Sequence, residues 1–454
     1  MLQKDIVIIG AGLTGLTCAH YLNQKNTDFL VLEQNPEAGG VIHTHQKNGY
    51  LYESGPNSGV ISHPEVADLF EDLNGKLKVC MANESSNKRY VLKNGKWEAL
   101  PSGLLGGIKT PLFSWKDKFG ILAEPFRKPG TDPNETLANL VRRRMGESFL
   151  DYAIDPFILG IYAGDPNKLV PKYALPKLYN LEHNYGSFIG GAIKKKKEDK
   201  GNPELKKATK KIFSCENGLQ QLTKALLDSA GKEHFIFNAM DTIISPSGKE
   251  FIIRFQNKNN ETTELIAKKV IFTGGAYSLP KLLPFIEFKK LDAIRNLEYT
   301  KVIEVTLGFD KWKGMDLDGF GGLIPFKEKR DILGVLFMST LFNNRAPKGG
   351  ALLTLFMGGV RRQDLINLSE DEIRSIVERE MKSLMGIKEF NPDLIEIIRH
   401  QYAIPQYYAD SADRFKAIED IQSQFPGLIL GGNSRDGIGM ADRIKQGKTM
   451  AEEA

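Results

Sequence analysis

Cysteine and histidine are scarce in this sequence. The cysteines are Cys18, Cys80 and Cys215, and no two of them form a C-x-x-C pair. Three widely spaced cysteines do not build a disulfide framework and are typical of a reducing compartment. Among the seven histidines, His43 and His45 lie close together, but no cysteine or carboxylate set completes a ligand pattern. We therefore expect no metal site.

Long apolar runs, a leader segment and strong net charge are missing as well. No uncharged apolar run reaches the roughly 18 residues of a membrane-spanning helix. The apolar N-terminus lacks the basic region and the cleavage site of a signal peptide. The net charge of +5 is mild for 454 residues, so we expect no nucleic-acid partner. A chain of this length predicts two or three domains.

The positive charge is concentrated in residues 194–211, which contain nine lysines and three acids. Nine minus three gives an excess of six, so the rest of the chain is nearly neutral. We expect this segment to be a mobile linker, either solvated or in contact with anionic lipid head groups. Two apolar segments flanked by basic residues, 111–115 and 121–126, are likewise either core or a membrane-facing ridge.

Residues 5–33 carry the strongest functional signal. An apolar strand runs into Gly10, Gly12 and Gly15 with the spacing G-x-G-x-x-G, a helical segment follows, and a second apolar strand ends at Glu33. Gly10 permits a tight turn, Gly12 lets the backbone approach a pyrophosphate, and Gly15 lets the helix pack on the strand. The helix N-terminus attracts phosphates, and Glu33 suits a ribose diol. The motif predicts a dinucleotide-binding site.

Three further glycine clusters indicate which dinucleotide binds. Gly39 and Gly40 follow the second strand, a turn runs from Tyr52 to Ser58, and the last cluster spans residues 431–439. In flavin enzymes of the two-domain type such clusters let the backbone pass against the cofactor. The helix N-terminus of the last cluster is expected to stabilise negative charge on a reduced flavin. Nicotinamide proteins do not need these clusters, so the sequence predicts FAD.

Local patterns predict the order of helices and strands. Residues 1–80 read as βαβ followed by a helix near Pro64–Leu73, and residues 110–190 as mainly helical. The other predicted elements are a hairpin at 89–100 around Asn94-Gly95, a helix at 134–145 capped by Asn134 or Thr131, strands at 235–237, 243–244, 251–255, 270–273 and 428–430, a strand-rich region at 302–356, a helix at 369–386 opened by a capping box from Ser369 to Glu372, and a helix opening near Ile438.

Several longer motifs resemble one flavoprotein family across almost the whole chain. With them the sequence resembles the FAD-dependent protoporphyrinogen oxidases, of the bacterial protoporphyrinogen and coproporphyrinogen oxidase type, which are relatives of monoamine oxidase and phytoene desaturase. The most specific are Ala163–Pro166, Asn344–Pro347 and Ile404–Tyr407. The others, besides the remaining glycine clusters, are Glu53–Ser58, Arg89–Leu92, Leu100–Gly103, Asp155–Phe157, Gly160–Tyr162 and Gly319–Pro325.

The resemblance implies an α/β architecture with three parts. The first is an FAD/NAD(P)-binding Rossmann-like domain of the two-domain flavoprotein type, made of residues 1–80, 205–290 and 425–454. The second is a mixed-sheet substrate-binding domain, 81–109 and 291–424. The third is a helical membrane-docking domain, 110–204. It also implies a cytoplasmic protein that is attached peripherally to the inner face of the cell membrane.

The resemblance also implies the cofactor contacts. The residues predicted to bind FAD, from the motifs and the resemblance together, are Gly10, Gly12, Leu13, Thr14, Gly15, Glu33, Gln34, Gly39, Gly40, Val41, Gly55, Pro56, Asn57, Ser58, Met240, His400, Gly432, Asn433, Ile438, Gly439 and Met440. Two positions differ from the family pattern. His43 stands where the family often has an arginine near the flavin phosphates, and His400 stands where it often has a tryptophan.

The implied reaction is the six-electron oxidation of protoporphyrinogen IX to protoporphyrin IX in haem biosynthesis, with O₂ as the expected acceptor and H₂O₂ as the product. Removing hydride from the macrocycle needs a flavin in a dry pocket, and no catalytic side chain or metal. The resemblance makes Arg89 the propionate partner and lets Phe320 and Leu323 sandwich the macrocycle. The resemblance also implies that Leu336 and Phe356 form part of the pocket wall. Gly160, Ala163 and Gly164 are expected to leave room over the flavin, and the Gly160 carbonyl is expected to orient the pyrrole N–H groups.

Other functions stay open on the same motifs. Coproporphyrinogen III has four propionates against two, and only Arg89 can be named as a cation, which favours protoporphyrinogen. An amine oxidase or carotenoid-type desaturase on the same fold is the second alternative. Amine oxidases usually place an aromatic pair at the flavin, for which Tyr402 and Tyr407 are candidates. A non-enzymatic scaffold is the third alternative. The expected partners are a porphyrinogen, O₂ or another acceptor and an anionic membrane, with the next haem-pathway enzyme and a homodimer left open.

Overall fold

The computed structural model describes residues 2–101 and 103–454, so that Ser102 of the Leu100–Gly103 motif lies outside the described residues. The strands are β1 (Leu2–Ile9), β2 (Phe29–Glu33), β3 (Thr44–Lys47), β4 (Tyr50–Glu53), β5 (Gly59–Val60), β6 (Val79–Met81), β7 (Tyr90–Lys93), β8 (Lys96–Ala99), β9 (Ile212–Cys215), β10 (Phe235–Phe237), β11 (Met240–Ser247), β12 (Glu250–Gln256), β13 (Thr262–Phe272), β14 (Val302–Phe309), β15 (Gly321–Leu323), β16 (Ile332–Phe337), β17 (Ala351–Gly358), β18 (Leu394–His400) and β19 (Leu428–Leu430).

The helices connect these strands and fill the region between β8 and β9. They are α1 (Leu13–Gln24), α2 (Pro64–Asp72), α3 (Gly103–Lys109), α4 (Trp115–Leu122), α5 (Leu137–Met145), α6 (Glu147–Phe149), α7 (Asp155–Tyr162), α8 (Pro171–Ala174), α9 (Pro176–Tyr185), α10 (Phe188–Asp199), α11 (Pro203–Lys207), α12 (Gln220–Ala230), α13 (Leu279–Leu282), α14 (Phe288–Arg295), α15 (Met338–Leu341), α16 (Glu370–Met385), α17 (Ser411–Gln424) and α18 (Met440–Glu453).

The first large sheet carries the N-terminal glycine motif. Its parallel strands lie in the order β10, β2, β1, β13, β19, and the antiparallel strands β12 and β11 extend it beside the first half of β13. The central strands are apolar and buried because helices cover both faces, as in parallel sheets generally. Helices α1, α12 and α18 share one core, and α13, α14 and α17 pack on the opposite side. The predicted α/β fold is confirmed.

The second large sheet has the order β18, β14, β17, β16, β15, β7, β8. Only the pair β15–β7 is parallel. Helix α16 covers one face, where Ile373, Val377 and Met381 join Val305 and Leu355 in a buried core. The capping box at Ser369 is present as predicted and fixes the start of α16. The opposite face points towards the glycine loops of the first sheet.

Residues 103–207 are helical, and one predicted element there is wrong. The lysine-rich segment 194–211, expected to be a linker, forms the end of α10 and the whole of α11. The first turn of α10 is anchored because Glu124, which is fully buried, accepts hydrogen bonds from the amides of Phe188 and Ile189 and is paired with Arg144. Burial alone would raise the pKa of Glu124, but these partners hold it below its usual value.

The remaining local predictions match with small shifts. The hairpin turns at Asn94-Gly95 between β7 and β8. Thr136 caps α5, instead of Asn134 or Thr131, and α18 begins at Met440 after Gly439. The predicted domain bounds stay a prediction. In the ranges that the structure describes, no helix combines the length and the apolar character needed to span a bilayer.

Candidate functional site

The turn from β1 into α1 leaves a helix end exposed to a ligand. Gly10 has φ +103°, and a Cβ on Gly15 would lie 2.0 Å from the carbonyl oxygen of Gly10, so both glycines are required by the fold itself. A Cβ on Gly12 would meet only the Cα of Gly40, at 3.9 Å. In the described part of the chain, α1 has neither a capping side chain nor an acid in its first turn. The amides that start α1, at Leu13 and Thr14, therefore suit a pyrophosphate.

Glu33 ends β2 as a fixed and buried carboxylate. Its Oε2 accepts from the Ala11 amide at 2.7 Å, and its Oε1 accepts from the amide and the side chain of Asn35, both at 2.9 Å. A carboxylate has about four acceptor positions, so the group can still bind ribose hydroxyls. Gln34 is exposed beside it, and Met240, which is 47% exposed, follows Ala239, whose amide donates to the Glu33 carbonyl at 2.9 Å.

The next two cofactor loops meet the first one. A Cβ on Gly40 would lie 3.1 Å from the Cα of Gly12, and a Cβ on Gly55 would lie 2.1 Å from the carbonyl oxygen of Val41. The ring of His43 is hydrogen-bonded to the carbonyl of Gly40 at 2.8 Å. The structure thus brings together the predicted loops at 10–15, 39–41 and 55–58.

The C-terminal glycine cluster also reaches this cleft, and a carboxylate binds the amide of the residue before its helix. A Cβ on Gly432 would lie 2.2 Å from the carbonyl oxygen of Gly274, at the end of β13. Asp442 accepts from the Gly439 amide at 2.9 Å and contacts the ring of His63 at 2.9 Å. Burial alone would raise the pKa of Asp442, but these bonds hold it below its usual value. Gly439 has no side chain that could cap the first turn of α18, so the stabilisation of a reduced flavin by this helix end stays a prediction.

Asn433 belongs to a hydrogen-bonded set of tyrosines. The Tyr299 hydroxyl donates to its side-chain oxygen at 2.9 Å, and the Tyr407 hydroxyl contacts its carbonyl at 3.0 Å. Burial raises the pKa of Tyr407 to about 12, so this hydroxyl stays neutral at physiological pH. Tyr402 stacks instead on Tyr277, with ring centres 4.2 Å apart. Tyr402 and Tyr407 therefore do not form the aromatic pair of an amine oxidase.

The predicted substrate residues share the sheet face that α16 leaves uncovered. Pairing of β16 with β17 sets Leu336 opposite Thr354 and Gly334 opposite Phe356, and β15 sets Leu323 opposite Gly334. Because side chains alternate along a strand, Leu323, Leu336 and Phe356 project to the same side. All three are half-buried. We call this surface, defined by Leu323, Leu336, Thr354, Phe356 and Glu304, the substrate face.

Arg89 lies at the edge of the substrate face. It immediately precedes β7, its side chain is exposed, and its guanidinium carbon lies 5.4 Å from the centre of the Phe320 ring. Its neighbour Lys88 is paired with Asp318, whereas Arg89 has no acidic partner among residues 2–101 and 103–454. An arginine that stacks on an aromatic ring and lacks an acidic partner can bind a carboxylate bidentately.

The end of α7 packs directly against this face. A Cβ on Gly160 would lie 2.6 Å from a methyl carbon of Leu323, and Ala163 ends the helix with φ 46°. A Cβ on Gly164 would lie 2.6 Å from the side-chain oxygen of Gln406. The small residues of this motif thus permit close packing against the sheet and against the Ile404–Tyr407 motif.

Two buried carboxylates in this region are not indicated by the sequence patterns. Glu53 is paired with Arg345 at 2.9 Å, and both are at most 2% exposed. This pair joins two of the family motifs and gives Asn344–Pro347 a structural role. Glu304, fully buried in β14, accepts from the Asn57 side chain at 2.6 Å.

Comparison with known proteins gives the family. The model of the family described as flavin containing amine oxidoreductase matches residues 13–454. The chain belongs to this family. One relative of this chain is the mitochondrial protoporphyrinogen oxidase of Nicotiana tabacum, which is 30% identical over 99% of this chain and 94% of the relative. The coproporphyrinogen III oxidase of Bacillus subtilis (strain 168) is 29% identical over 100% of this chain and 98% of the relative.

A solved structure supports the fold. The crystal structure of a candidate protoporphyrinogen oxidase from Exiguobacterium sp. 255-15 has a TM-score of 0.81 and 24% identity, and covers 99% of this chain and 98% of that chain. The family match and the full-length relatives show that the chain is an FAD-dependent oxidoreductase. The uncapped end of α1, the fixed Glu33 and the loops that glycines bring into contact fit FAD. When bound, FAD supplies the acceptor for a hydride.

Proposed function

We propose that this chain oxidises a porphyrinogen to the corresponding porphyrin in haem biosynthesis. The proposal is supported by the names of its full-length relatives. The observation that carries it is the substrate face, where a cation without an acidic partner, Arg89, flanks an apolar surface directly beneath Gly160. A large apolar ring with carboxylate substituents matches this combination, whereas a small amine does not.

Each group has a definite part in the proposed reaction. Arg89 binds a propionate, and the Phe320 ring against it fixes the guanidinium. Leu323, Leu336 and Phe356 exclude water from the macrocycle, and the Gly160 carbonyl accepts a hydrogen bond from a pyrrole N–H. These contacts orient the methylene carbon whose hydride is transferred. We expect O₂ to be the final acceptor, with H₂O₂ as the product.

We propose protoporphyrinogen IX as the substrate and coproporphyrinogen III as the alternative. Four propionates would favour additional free cations at the pocket. Three cations on segments that adjoin the substrate face are already paired, Lys88 with Asp318, Lys327 with Asp151 and Arg361 with Asp155. The bacterial relatives named coproporphyrinogen III oxidase support the alternative.

Anaerobic titration tests the reaction class and the substrate together. FAD-loaded protein is mixed with protoporphyrinogen IX, coproporphyrinogen III or a polyamine, and the flavin absorbance and the porphyrin fluorescence are followed. We expect bleaching with a porphyrinogen, fastest with protoporphyrinogen IX, and none with the polyamine. Bleaching only by the polyamine would indicate an amine oxidase, and no bleaching by either porphyrinogen would contradict the proposal.

We also propose that α4 and the turn after it dock on the cytoplasmic face of the cell membrane. Trp115, Phe119 and Leu122 are 62%, 68% and 64% exposed and share one side of α4, and Phe126 is 89% exposed. We call these four residues the apolar ridge. The basic residues beside it are Lys116, Lys118, Arg127 and Lys128. Exposed aromatic residues with basic neighbours suit the interface of an anionic membrane. The next haem-pathway enzyme and a second copy of the chain remain proposed partners.

A further inference from the structure

Glu304 connects the cofactor loops with the substrate face. Its Oε1 accepts from the side chain of Asn57 at 2.6 Å, and its Oε2 accepts from the Gly55 amide at 2.9 Å. The same Oε2 lies 3.1 Å from Nε2 of His400. Asn57 in turn accepts from the Thr354 hydroxyl at 3.1 Å. A buried carboxylate is costly unless donors satisfy it, and here three donors converge on it.

The Glu304 contact fixes how His400 carries its proton. An ionised carboxylate only accepts hydrogen bonds, so the shared contact requires the proton of a neutral His400 on Nε2. Nδ1 is then left with a free lone pair, as in other histidines oriented by a carboxylate. His400 ends β18, and its side chain is 22% exposed while that of Glu304 is 1% exposed. A proton accepted by this ring can therefore leave to solvent.

The network lies where cofactor and substrate would meet. Gly55 touches Val41, which follows Gly40 and so adjoins the pyrophosphate turn. On the other side, β14 sets Glu304 opposite Phe356, and β18 sets His400 opposite Val302 on the same face. His400 is thus a titratable side chain held at the boundary between the two predicted sites.

We propose that His400, oriented by Glu304, accepts the proton that leaves the porphyrinogen in each two-electron step. This proposal rests on the proposed function. In each step a methylene C–H bond breaks and its electron pair leaves as hydride to the flavin. In two of the three steps the N–H bond of an adjacent pyrrole breaks, its electron pair forms a C=N bond, and the proton binds Nδ1 of His400. In the remaining step the proton leaves from the C–H bond of the last methylene carbon, whose electron pair completes the conjugated C=C bond. Three hydrides and three protons are thus removed in all, and two N–H groups remain on the porphyrin.

Five neighbouring charged or titratable side chains have partners of their own. His45 is hydrogen-bonded to Ser54 at 2.7 Å and stacks on Tyr52. The remaining groups are His43 on the Gly40 carbonyl, Glu396 paired with Lys47, Glu53 paired with Arg345, and Arg399 on the Leu368 carbonyl. A slower flavin reduction at acidic pH is therefore assigned to His400 only if replacement of His400 removes this pH dependence.

The kinetic test is anaerobic stopped-flow reduction of the flavin by the porphyrinogen, measured between about pH 5 and 9. A protonated imidazole cannot accept a proton, so the rate of the parent protein should fall on acidification. His400→Gln should lower the rate roughly 100-fold and abolish this acid limb. Glu304→Gln should also lower the rate, because the imidazole loses the carboxylate that orients it. His45→Gln, the matched control, should keep the parental rate and limb.

A second measurement does not depend on turnover. Nitrogen NMR of ¹⁵N-histidine-labelled, FAD-loaded protein without substrate should show the Nε2–H form for the signal that His400→Gln and His400→Asn both remove. Glu304→Gln should erase this preference. The proposed role of His400 would be overturned by an Nδ1–H form of this histidine. It would also be overturned if a His400→Gln protein that retains FAD kept the pH profile of the parent protein. Failure of the parent protein to reduce its flavin with any porphyrinogen would instead contradict the proposed function.

Discussion

Arg89 provides the most direct test of substrate binding. Arg89→Ala removes the cation at the edge of the substrate face, and the loss of a charge-assisted hydrogen bond costs about 1.5–3 kcal/mol. We expect KM for the porphyrinogen to rise roughly 10- to 100-fold and kcat to change much less, because the contact is made before and during hydride transfer. Steady-state porphyrin fluorescence measures both. Lys96→Ala on the same hairpin is the control, and an unchanged KM in Arg89→Ala would exclude the assigned role.

Gly12 and Gly15 separate cofactor binding from folding. The Cβ of Gly12→Ala meets no protein atom closer than 3.9 Å, whereas that of Gly15→Ala would lie 2.0 Å from a backbone oxygen. We expect Gly12→Ala to keep the melting temperature of the apoprotein while its Kd for FAD rises at least about tenfold, a change of about 1.4 kcal/mol. Gly15→Ala should lower the melting temperature of the apoprotein itself. Calorimetry of apoprotein and titration with FAD measure the two effects, and equal behaviour of the variants would contradict this division.

Helix α4 is the element on which membrane attachment is tested. Replacing Phe119 and Phe126 with serine removes two exposed rings, each worth about 1.5–3 kcal/mol if it inserts into the bilayer interface. We expect the double variant to bind anionic vesicles at least tenfold more weakly in a sedimentation assay. Phe288→Ser is the control, because Phe288 is 59% exposed on α14, away from the ridge.

The lysines of α10 require a separate variant. Replacing Lys194–Lys197 with glutamine should weaken vesicle binding by about 1 kcal/mol for each lysine near the surface. If α10 faces water, this variant should bind like the parent protein while the serine variant does not. Parental binding by both variants would remove the case for docking through this region.

Local signals predict elements only where they are strong and contiguous. The Asn94-Gly95 turn and the capping box at Ser369 place their elements correctly because the responsible residues are neighbours in the sequence. Helix α10 has a local N-cap, Ser187, which accepts from the Gly190 amide. A single serine is a weak signal, and the other anchor of the first turn, Glu124, lies 64 residues before Phe188 in the sequence. The lysine run then continues a helix that is already started.

Pairs that join distant segments escape sequence patterns altogether. Glu53 and Arg345 are 292 positions apart, and Glu304 and His400 are 96 apart on strands that neither periodicity nor spacing pairs. The motifs that contain or adjoin these residues can be recognised in the sequence, but the side chains with which the residues pair cannot. The glycine turns of the cofactor site are predictable, since each works through backbone geometry within a few residues.

The predicted cofactor site draws on both ends of the chain. A Cβ on Gly447 would lie 2.5 Å from the carbonyl oxygen of Thr14, so α18 packs tightly on α1 and carries the C-terminal glycine cluster to the cleft. FAD bound across this junction should tie the two ends together. Because FAD binds the native state, about 100-fold excess over Kd adds about 2.7 kcal/mol of stability.

Hydrogen exchange with and without FAD tests this assembly directly. We expect slower amide exchange in four segments that are remote in sequence, 10–15, 33–41, 55–58 and 432–440, because one ligand contacts or immobilises all of them. The hairpin of β11 and β12 beyond Met240 and the end of α10 lie outside the cleft and serve as internal references. Protection confined to residues 10–41 would mean that only the adenosine half is held, and the C-terminal cluster would then lose its place in the cofactor site.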